Sequence, residues 1–399
     1  MQLLKMCLMV IVAELLVDKM IIKGGSIFTE EGKFQKGSIV IEQGAIKKLD
    51  FSGGNQTVEE KVLDATGMYV LPGLVDIHLH GCAGVDFCDA TRDSFATIEN
   101  YQVRNGITSV FPATMTVSAE ELGNILEVSA KYLKNDSIGV LGGITMEGPF
   151  ISEGKKGAQN AKYILQPNIA FFREMQDKSK GFIKQVALAP EEEGAMEFIE
   201  ALCGETIISL AHSEADYETA FKAFKKGVNH VTHLFNGMRP FYHREPGIVG
   251  AAFDNANVYV EMICDGVHLH PATVRAMFRL FGAERICMIS DSMRATGMCD
   301  GTYSLGGQKV IKKGNLATLE EGTIAGSVCN LYQCFKKVVK EMGIPFKDAI
   351  LSCTKIPAKS LGMDETCGIL KEGRCADILI IDKELNIKYV IKNGEMVTK

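Results

Sequence analysis

The sequence predicts an α/β protein, namely a (β/α)8 barrel of the TIM type with a small β-sandwich domain formed from both chain termini. Three observations lead to this fold class. The middle of the chain alternates short apolar runs with amphipathic helical stretches, which is typical of strand–helix repeats. Both ends instead show short strands separated by turn residues. The length of 399 residues suits one large domain and one smaller domain.

The composition excludes several classes of protein. With 46% apolar and 23% charged residues, the chain is neither disordered, collagenous nor a multi-span membrane protein. Its formal net charge of −6, with scattered Lys and Arg, gives no sign of a nucleic-acid partner. The 12 cysteines are irregularly spaced without a CxxC pair, so we expect reduced thiols in a cytoplasmic protein.

The first 19 residues are expected to be a dispensable N-terminal extension. The stretch 3–17 is strongly apolar, but Lys5 and Glu14 interrupt it and it is shorter than a membrane span. No small-residue cleavage pattern follows it, which argues against a signal peptide. We therefore predict no membrane partner, and a strand pattern that begins at Met20.

The two chain ends are predicted to form the small β domain, from residues 20–73 plus 363–399. Alternating apolar residues with Gly and Asn between them run through both segments. In the second segment Asn393 and Gly394 stand where a tight hairpin turn is expected. Chain ends commonly lie close together, which favours one domain built from both.

Residues 74–362 are assigned to a catalytic (β/α)8 barrel. Between its strands we predict helices over 118–134, with a capping box from Ser118 to Glu121, and over 214–226. The competing architecture is a doubly wound sheet, but no GxGxxG follows an early strand. Irregular segments over 148–167 and 294–326 follow the third and eighth strands, where loops build active sites. The eight candidate strands lie within 75–81, 108–115, 140–148, 183–190, 206–213, 228–235, 258–266 and 285–292.

Most of the eight histidines lie at or just beyond the C-terminal end of a predicted strand. A barrel gathers these ends at one mouth, so residues distant in sequence become neighbours. His78 and His80 are two apart on one strand and therefore share a face, as in an HxH metal motif. On their own, the two could equally be packed or hydrogen-bonded barrel histidines.

Further side chains at these strand ends strengthen the interpretation as a metal site. Glu147, His212 and His233 supply one carboxylate and two imidazoles, a ligand set that suits a divalent ion such as zinc with one open position. Asp291 ends the eighth strand and is favoured as the group that takes and returns a proton. A helix cap or turn is the alternative role for Asp291.

Two further groups are candidates for substrate contacts. His268 could hydrogen-bond a substrate or its developing oxyanion. Arg244, beside His243, could pair with a phosphate through its planar guanidinium. For Arg244 a solvated surface loop is the simpler explanation from these residues alone. Cys82 and Cys88 lie near the site without a base nearby, so we assign no thiol nucleophile.

The chain resembles the amidohydrolase superfamily and, within it, the branch that removes the acetyl group from N-acetylglucosamine 6-phosphate. The resemblance runs from about residue 20 to 397, and the HxH motif with a distal Asp marks the superfamily. The stretches that carry it are LPGLVDIHLHGCAGVDFCDAT (71–91), MEGPFISEGKKGAQN (146–160), LAHSEA (210–215), VTHLFNGM (231–238), HREPGIVG (243–250), DGVHLHP (265–271) and the ISD that ends at Asp291.

The resemblance implies metal-dependent hydrolysis to D-glucosamine 6-phosphate and acetate in amino-sugar catabolism, with Asp291 as general base and acid. It implies that Glu147, His212 and His233 bind the principal metal. Zinc is expected first, with iron, cobalt or manganese as alternatives. Since His78 and His80 are both present, one or two ions per subunit are expected. The implied substrate contacts come from Ala158, Asn236, Gly237, His243, Arg244, His268, Ile324, Ala325 and Gly326.

Other implications concern the assembly and one departure from the pattern. In some relatives the phosphate contact comes from the partner subunit, which implies a homodimer. Gln159 stands where many relatives have His in KGAHN, so a polar substrate contact there is in question. Two alternatives stay open: another amidohydrolase that acts on an unphosphorylated acylamino acid or cyclic amide, and a metal-binding regulator descended from such an enzyme.

Overall fold

The structure is a computed structural model that describes residues 19–52 and 61–397. The predicted N-terminal extension lies outside these residues, except Lys19, the first residue of the first strand. The chain divides into two compact units, one reaching to Pro72 and resuming at Ile369, the other running from Gly73 to Gly368. Within the described ranges, no helix combines the length and apolar character that crossing a membrane requires.

The first unit is one eight-stranded sheet in the order β21-β20-β19-β5-β1-β2-β3, with β4 also paired to β1. Strands from the two chain ends meet where β19 pairs antiparallel with β5. We predicted a sandwich, but all the described strands join one hydrogen-bonded sheet that branches at β1. The strands are β1 (Lys19–Phe28), β2 (Phe34–Glu42), β3 (Ala45–Asp50), β4 (Lys61–Asp64), β5 (Tyr69–Pro72), β19 (Ile378–Ile381), β20 (Ile387–Lys392) and β21 (Glu395–Met396).

Two glycine-containing features shape this sheet. The first part of β1 pairs with β4 and the second part with β5, and the pairing of β1 with β2 shifts register between Ile22 and Gly25. A Cβ on Gly25 would lie 2.5 Å from a methyl group of Val70, so only glycine allows this close approach. Asn393 and Gly394 both have left-handed φ, at 52° and 79°, and join β20 to β21 in the predicted two-residue hairpin.

The second unit contains parallel strands that alternate with helices. Strands β10 to β15 form a six-stranded parallel sheet, and β6 pairs in parallel with β9. Each of the eight predicted runs contains or overlaps one of these strands, and all eight are fully or largely buried. The strands are β6 (Leu74–Leu79), β9 (Ile107–Pro112), β10 (Ile144–Met146), β11 (Ile183–Leu188), β12 (Ile207–Leu210), β13 (His230–Val231), β14 (Tyr259–Ile263) and β15 (Ile286–Ile289), with a short hairpin of β7 (Gly81–Cys82) and β8 (Val85–Asp86) after β6.

Further backbone hydrogen bonds connect the edges of the two parallel sheets. The Val110 carbonyl in β9 accepts from Gly142 N–H at 2.8 Å, just before β10. At the other edge, Asp291 N–H donates to the His78 carbonyl at 2.9 Å, and His80 N–H donates to the Ser292 carbonyl at 2.7 Å. The C-terminal ends of β6 and β15 are therefore neighbours, although β6 ends at Leu79 and β15 begins only at Ile286.

Helices follow most of these strands. Ser118 caps α2 by accepting from Glu121 N–H at 3.2 Å. Helix α5 begins at Tyr217 rather than at the predicted 214, because the Asp216 carboxylate accepts from Thr219 N–H at 2.9 Å and ends the preceding loop. The helices are α1 (Arg92–Arg104), α2 (Ala119–Asn135), α3 (Ile169–Lys178), α4 (Ala195–Leu202), α5 (Tyr217–Lys225), α6 (Gly247–Phe253), α7 (Pro271–Phe281), α8 (Leu331–Lys340), α9 (Phe346–Cys353) and α10 (Lys355–Ser360).

The prediction for the segment 294–326 is wrong. We expected it to be irregular, but it contains a three-stranded antiparallel sheet of β16 (Gly301–Leu305), β17 (Gln308–Lys313) and β18 (Leu316–Leu319). Gly306 and Gly307, both with positive φ, form the two-residue turn between β16 and β17. Glycine pairs are a recognised hairpin signal, and this one was missed because the flanking strands alternate too little in polarity.

Candidate active site

A cavity of about 290 Å³ opens at the C-terminal ends of the parallel strands. Its walls combine imidazoles and carboxylates from strand ends with backbone and apolar groups from the loops, so polar and apolar ligand surface can both be accommodated. The lining residues are His80, Met115, Glu147, Gly157, Ala158, Gln159, His212, His233, Asn236, Gly237, His268, Asp291, Leu305, Thr323, Ile324 and Gly326.

Three of the strand-end residues have left-handed backbone conformations. His212, His233 and Asp291 each lie two residues beyond a strand end and have φ of 44°, 32° and 46°. Such angles are uncommon for residues with a Cβ, and they persist where surrounding structure enforces them, often at functional sites. Here the sharp turn lets each side chain line the cavity.

Glu147, which follows β10, lies at the centre of the histidines. Its Oε1 is 2.9 Å from Nε2 of His212 and 3.1 Å from Nε2 of His233. Its Oε2 is 3.2 Å from Nε2 of His80 and 3.7 Å from Nε2 of His78. The two carboxylate oxygens are thus divided between two pairs of imidazoles.

Backbone carbonyls determine which nitrogen of each histidine is protonated. His212 Nδ1 lies 2.8 Å from the Lys155 carbonyl, and His233 Nδ1 lies 3.1 Å from the Asn236 carbonyl. A carbonyl only accepts, so both Nδ1 atoms carry hydrogen and a neutral ring presents its Nε2 lone pair to Glu147. The two Nε2 atoms are 3.2 Å apart, and such lone pairs repel each other unless a cation lies among them.

The donor set of Glu147, His212 and His233 fits a divalent metal ion. The three ligand atoms are separated by 2.9 to 3.2 Å, close to the edge of about 3.3 Å for tetrahedral zinc with nitrogen ligands. His78, His80 and Glu147 form a second possible ligand group. Both nitrogens of His78 and Nδ1 of His80 are buried without a hydrogen-bond partner, which a second ion would partly satisfy.

Asp291 faces this second group of residues. Its Oδ1 is 3.3 Å from Nε2 of His80 and 3.8 Å from Nε2 of His78. Burial alone would raise the pKa of Asp291, but the hydrogen bond and charge of His80 lower it overall. Likewise, burial opposes ionisation of Glu147, yet the charge that His78 carries when its ring is protonated holds the pKa of Glu147 well below the usual value. Both carboxyl groups are therefore ionised.

His268 lies on another wall of the cavity and is held by Asp265. The imidazole Nδ1 is 2.8 Å from Oδ2 of Asp265, whose Oδ1 accepts the N–H groups of Val267 and His268 at 2.9 Å each. Burial would lower the pKa of His268, but the hydrogen bond and charge of Asp265 outweigh it, so the pKa is raised. His268 is consequently a hydrogen-bond donor toward the cavity over a wider pH range.

The predicted substrate-contact residues separate into two groups. Ala158, Asn236, Gly237, His268, Ile324 and Gly326 line the cavity. Ala325 is fully buried beside it. His243 and Arg244 are exposed, and the cavity lining in the described part of the chain does not include them.

Gly237 needs to be glycine. A Cβ at this position would lie 2.9 Å from Nδ1 of His212, and its φ is +60°. The loop after β13 therefore approaches the predicted metal ligand more closely than any other residue type allows.

Three contacts of the site were not anticipated from the sequence. Gln159 donates from Nε2 to Oε2 of Glu147 at 2.8 Å and accepts from Thr116 N–H at 2.7 Å, so this departure from the KGAHN pattern contacts a predicted metal ligand. Asp265 positions His268, and its place three residues earlier was a readable turn signal. Glu261 lies beneath His78, and a single carboxylate within the apolar run of β14 was the available clue.

The cysteines near the site are protonated thiols. Burial raises the pKa of Cys82 and of Cys88, which agrees with assigning neither of them as a nucleophile. The cysteines of the described residues are thiols and not members of disulfides.

Comparison with known proteins supplies the family. A profile of the amidohydrolase family matches residues 69–397. The chain belongs to the amidohydrolase family. It is 32% identical over 386 residues to the N-acetylglucosamine-6-phosphate deacetylase of Bacillus subtilis (strain 168), covering 96% of this chain and 98% of that protein.

Two further relatives extend the comparison within this family. The N-acetylgalactosamine-6-phosphate deacetylase of Escherichia coli O157:H7 is 30% identical over 381 residues, with 95% of this chain and 99% of that protein covered. A solved structure is similar with a TM-score of 0.89 and 30% identity over 96% of this chain and 100% of the other. It is an N-acetyl-D-glucosamine-6-phosphate deacetylase mutant from Mycobacterium smegmatis in complex with N-acetyl-D-glucosamine-6-phosphate.

Proposed function

We propose that this amidohydrolase cleaves the acetamide of N-acetyl-D-glucosamine 6-phosphate, giving D-glucosamine 6-phosphate and acetate in amino-sugar catabolism. The observation that carries the proposal is the convergence of Glu147, His212, His233 and Asp291 on one cavity. It occurs in a chain that aligns almost end to end with deacetylases of this substrate. Cleavage of an amide by water needs an activated water and a proton for the departing amine, and this donor set suits both tasks.

We infer that the eight parallel strands of the second unit close into a (β/α)8 barrel. The hydrogen bonds from β15 to β6 through Asp291 and His78 support closure at one edge, and those between Val110 and Gly142 support continuity at the other. In such a barrel the catalytic groups come from the C-terminal ends of several strands, where all four of the central side chains lie.

The metal is proposed to be held by Glu147, His212 and His233, with His78 and His80 available for a second ion. Zinc suits the nitrogen-rich ligand set, and iron, cobalt or manganese could occupy it as well. When bound, a divalent ion polarises the acetyl carbonyl and makes a neighbouring water more acidic.

Asp291 is proposed to move the proton. Its ionised Oδ1 accepts a proton from the attacking water, and the resulting carboxylic acid donates that proton to the amide nitrogen as the C–N bond breaks. His80 and His78, at 3.3 and 3.8 Å from Oδ1, hold the carboxylate in place between these transfers. His268 is proposed to donate a hydrogen bond from Nε2 to the substrate in its imidazolium form, which Asp265 favours by accepting the other hydrogen from Nδ1.

Recognition of the 6-phosphate is proposed for His243 and Arg244. The guanidinium of Arg244 can form paired hydrogen bonds to a phosphate, and both side chains are exposed. We propose that they serve the cavity of a second copy in a homodimer, with neighbouring exposed aromatics Phe241 and Tyr242 at the contact. A charged sugar phosphate does not cross membranes freely, so a cytoplasmic site of action is proposed.

A second candidate substrate is N-acetyl-D-galactosamine 6-phosphate, because one of the relatives is a deacetylase of that sugar. The test is acetate release by zinc-loaded protein from both phosphorylated sugars and from unphosphorylated N-acetylglucosamine. We expect the highest kcat/KM on N-acetylglucosamine 6-phosphate. Preference for the galactosamine isomer would favour the second candidate. Equal turnover without the phosphate would favour a deacylase or cyclic amidase of unphosphorylated substrates.

A further inference from the structure

A buried polar layer lies beneath the catalytic cavity. Gln185 on β11, His230 on β13 and Glu261 on β14 are each fully inaccessible to solvent. Burying a carboxylate among apolar strands is costly unless it is paired and hydrogen-bonded. None of these three residues lines the cavity or has a role in the proposed proton transfers, so their presence calls for another explanation.

The contacts of Glu261 divide between its two oxygens. Oε1 accepts from Gln185 Nε2 at 2.9 Å, and His230 Nε2 lies 3.4 Å away. Oε2 lies 3.4 Å from Nδ1 of His78. Oε2 of Glu261 and Nδ1 of His78 are both buried, and neither has a hydrogen-bond partner in the described structure. Two unpartnered polar atoms that face each other at this distance satisfy one another after a shift of a few tenths of an ångström.

We infer that Glu261 is a positioning residue that fixes the tautomer of His78. A carboxylate only accepts hydrogen bonds, so the imidazole hydrogen resides on Nδ1, and the Nε2 lone pair is directed to the opposite side of the ring. On that side lie Oε2 of Glu147 at 3.7 Å and Oδ1 of Asp291 at 3.8 Å. Glu261, which lies beneath the site, therefore leaves Nε2 of His78 free to bind a cation.

Gln185 determines which oxygen of Glu261 faces His78. Its amide N–H donates to Oε1 of Glu261, which leaves Oε2 for His78. If residue 261 were glutamine, its carbonyl oxygen would be the atom that accepts from Gln185, and its NH₂ would face His78 Nδ1. That ring nitrogen would then become an acceptor, the hydrogen would move to Nε2, and Nε2 could no longer bind a metal.

The inference rests on the metal-binding part of the proposed function and is independent of the substrate. The experiment compares wild type, Glu261→Gln and Glu99→Gln in full-length protein. Glu99 is the matched control, since it is also a fully buried carboxylate of the same unit and accepts from Tyr132, Ser137 and backbone N–H groups away from the histidines. Zinc per chain is measured by mass spectrometry after equilibration, and zinc affinity by chelator competition.

Loss of the partner that orients a metal-binding histidine typically weakens metal affinity 10- to 100-fold. We expect a loss of this size for the zinc held by His78 in Glu261→Gln, with Glu99→Gln within twofold of wild type. Nitrogen-15 NMR of labelled histidines, with His78 assigned by His78→Asn, reports the tautomer directly. In zinc-loaded wild type Nδ1 of His78 carries the hydrogen, and in Glu261→Gln it does not.

Wild-type affinity in Glu261→Gln, or an unchanged His78 tautomer, would overturn the inference. If Glu261→Gln does not unfold cooperatively, Glu261→Asp replaces it, because the shorter carboxylate withdraws from Nδ1 while keeping its charge, and weakened zinc binding is again expected. A protein that binds zinc in this Glu261-dependent way but releases no acetate would uphold the inference and refute the proposed deacetylase. If the protein releases acetate but its zinc binding does not depend on Glu261, the deacetylase proposal is upheld and the inference about Glu261 is refuted.

Discussion

The strand-end half of the site and the loop after β13 are built in contrasting ways. Glu147 is 1% exposed and Asp291 8% exposed, and both are surrounded by histidines within 4 Å. Arg244, in the loop, is exposed beside Phe241 at 48% and Tyr242 at 60% exposure. The groups proposed for hydrolysis thus lie within one chain, whereas the proposed phosphate contact is exposed to solvent. This difference indicates that chemistry and phosphate recognition can be perturbed separately.

Metal removal should have the largest effect, and it should act on the strand-end half alone. Dialysis against a strong chelator is expected to abolish acetate release, because the ion that His212 and His233 are proposed to hold would polarise the carbonyl and activate the water. Added zinc should restore activity, which an acetate assay before and after reconstitution would measure. Full activity in protein verified to be metal-free would rule out the proposed role of these histidines.

Replacing the proton-transfer group comes next. Asp291→Asn is expected to lower kcat by 10²- to 10⁴-fold, since the amide cannot take the proton from water. KM should change little because Asp291 is not proposed to bind the sugar. The matched control is Asp93→Asn on the exposed side of α1, which should keep wild-type kinetics. A variant at Asp291 with more than a tenth of wild-type kcat would contradict this assignment.

The exposed loop should respond in the opposite manner. Arg244→Ala is expected to lower kcat/KM about 10- to 100-fold for the phosphorylated sugar, mainly through KM, because a charged hydrogen bond is lost. Turnover of unphosphorylated N-acetylglucosamine should stay the same. Arg239→Ala, exposed in the same loop, serves as control. An equal loss on both sugars would mean that Arg244 supports the fold of the loop rather than the phosphate.

The smallest expected effect is a displaced pH profile. Asp265 raises the pKa of His268, so the donor form of His268 is retained as pH rises and is lost only above its raised pKa. In Asp265→Asn that support is absent, and the alkaline limb of kcat/KM should move to lower pH. Profiles of wild type and variant in matched buffers would measure the shift. If the alkaline limb does not move, the group that titrates there is not His268.

Much of the strand-end half was predictable from the sequence. The HxH spacing of His78 and His80 places both side chains on one strand face, and the barrel rule brings Glu147, His212, His233 and Asp291 to one mouth. The order of the strands along the chain could be predicted from the alternation of apolar runs and helical stretches alone. These inferences depend on local periodicity, which a single sequence contains.

Other features depend on distances across the fold and could not be read from the chain. The bond from Gln159 to Glu147 and the pairing of Glu261 with His78 join residues on separate elements. The sheet of β16–β18 was missed because its strands are partly exposed and weakly patterned. For Arg244 the sequence left two explanations open, since charged loop residues look alike whether they bind ligand or solvent.

The proposed division of the site between two chains is tested most directly by mixing two impaired forms at a substrate concentration well below KM, where each has little activity on its own. Asp291→Asn and Arg244→Ala dimers are dissociated, combined in equal amounts and reassociated, and acetate release from N-acetylglucosamine 6-phosphate is measured. If Arg244 serves the partner's cavity, each hybrid has one intact site, and activity recovers to about a quarter of wild type by random pairing. Activity no higher than the mean of the two parents, with hybrids verified by mass, would contradict the account.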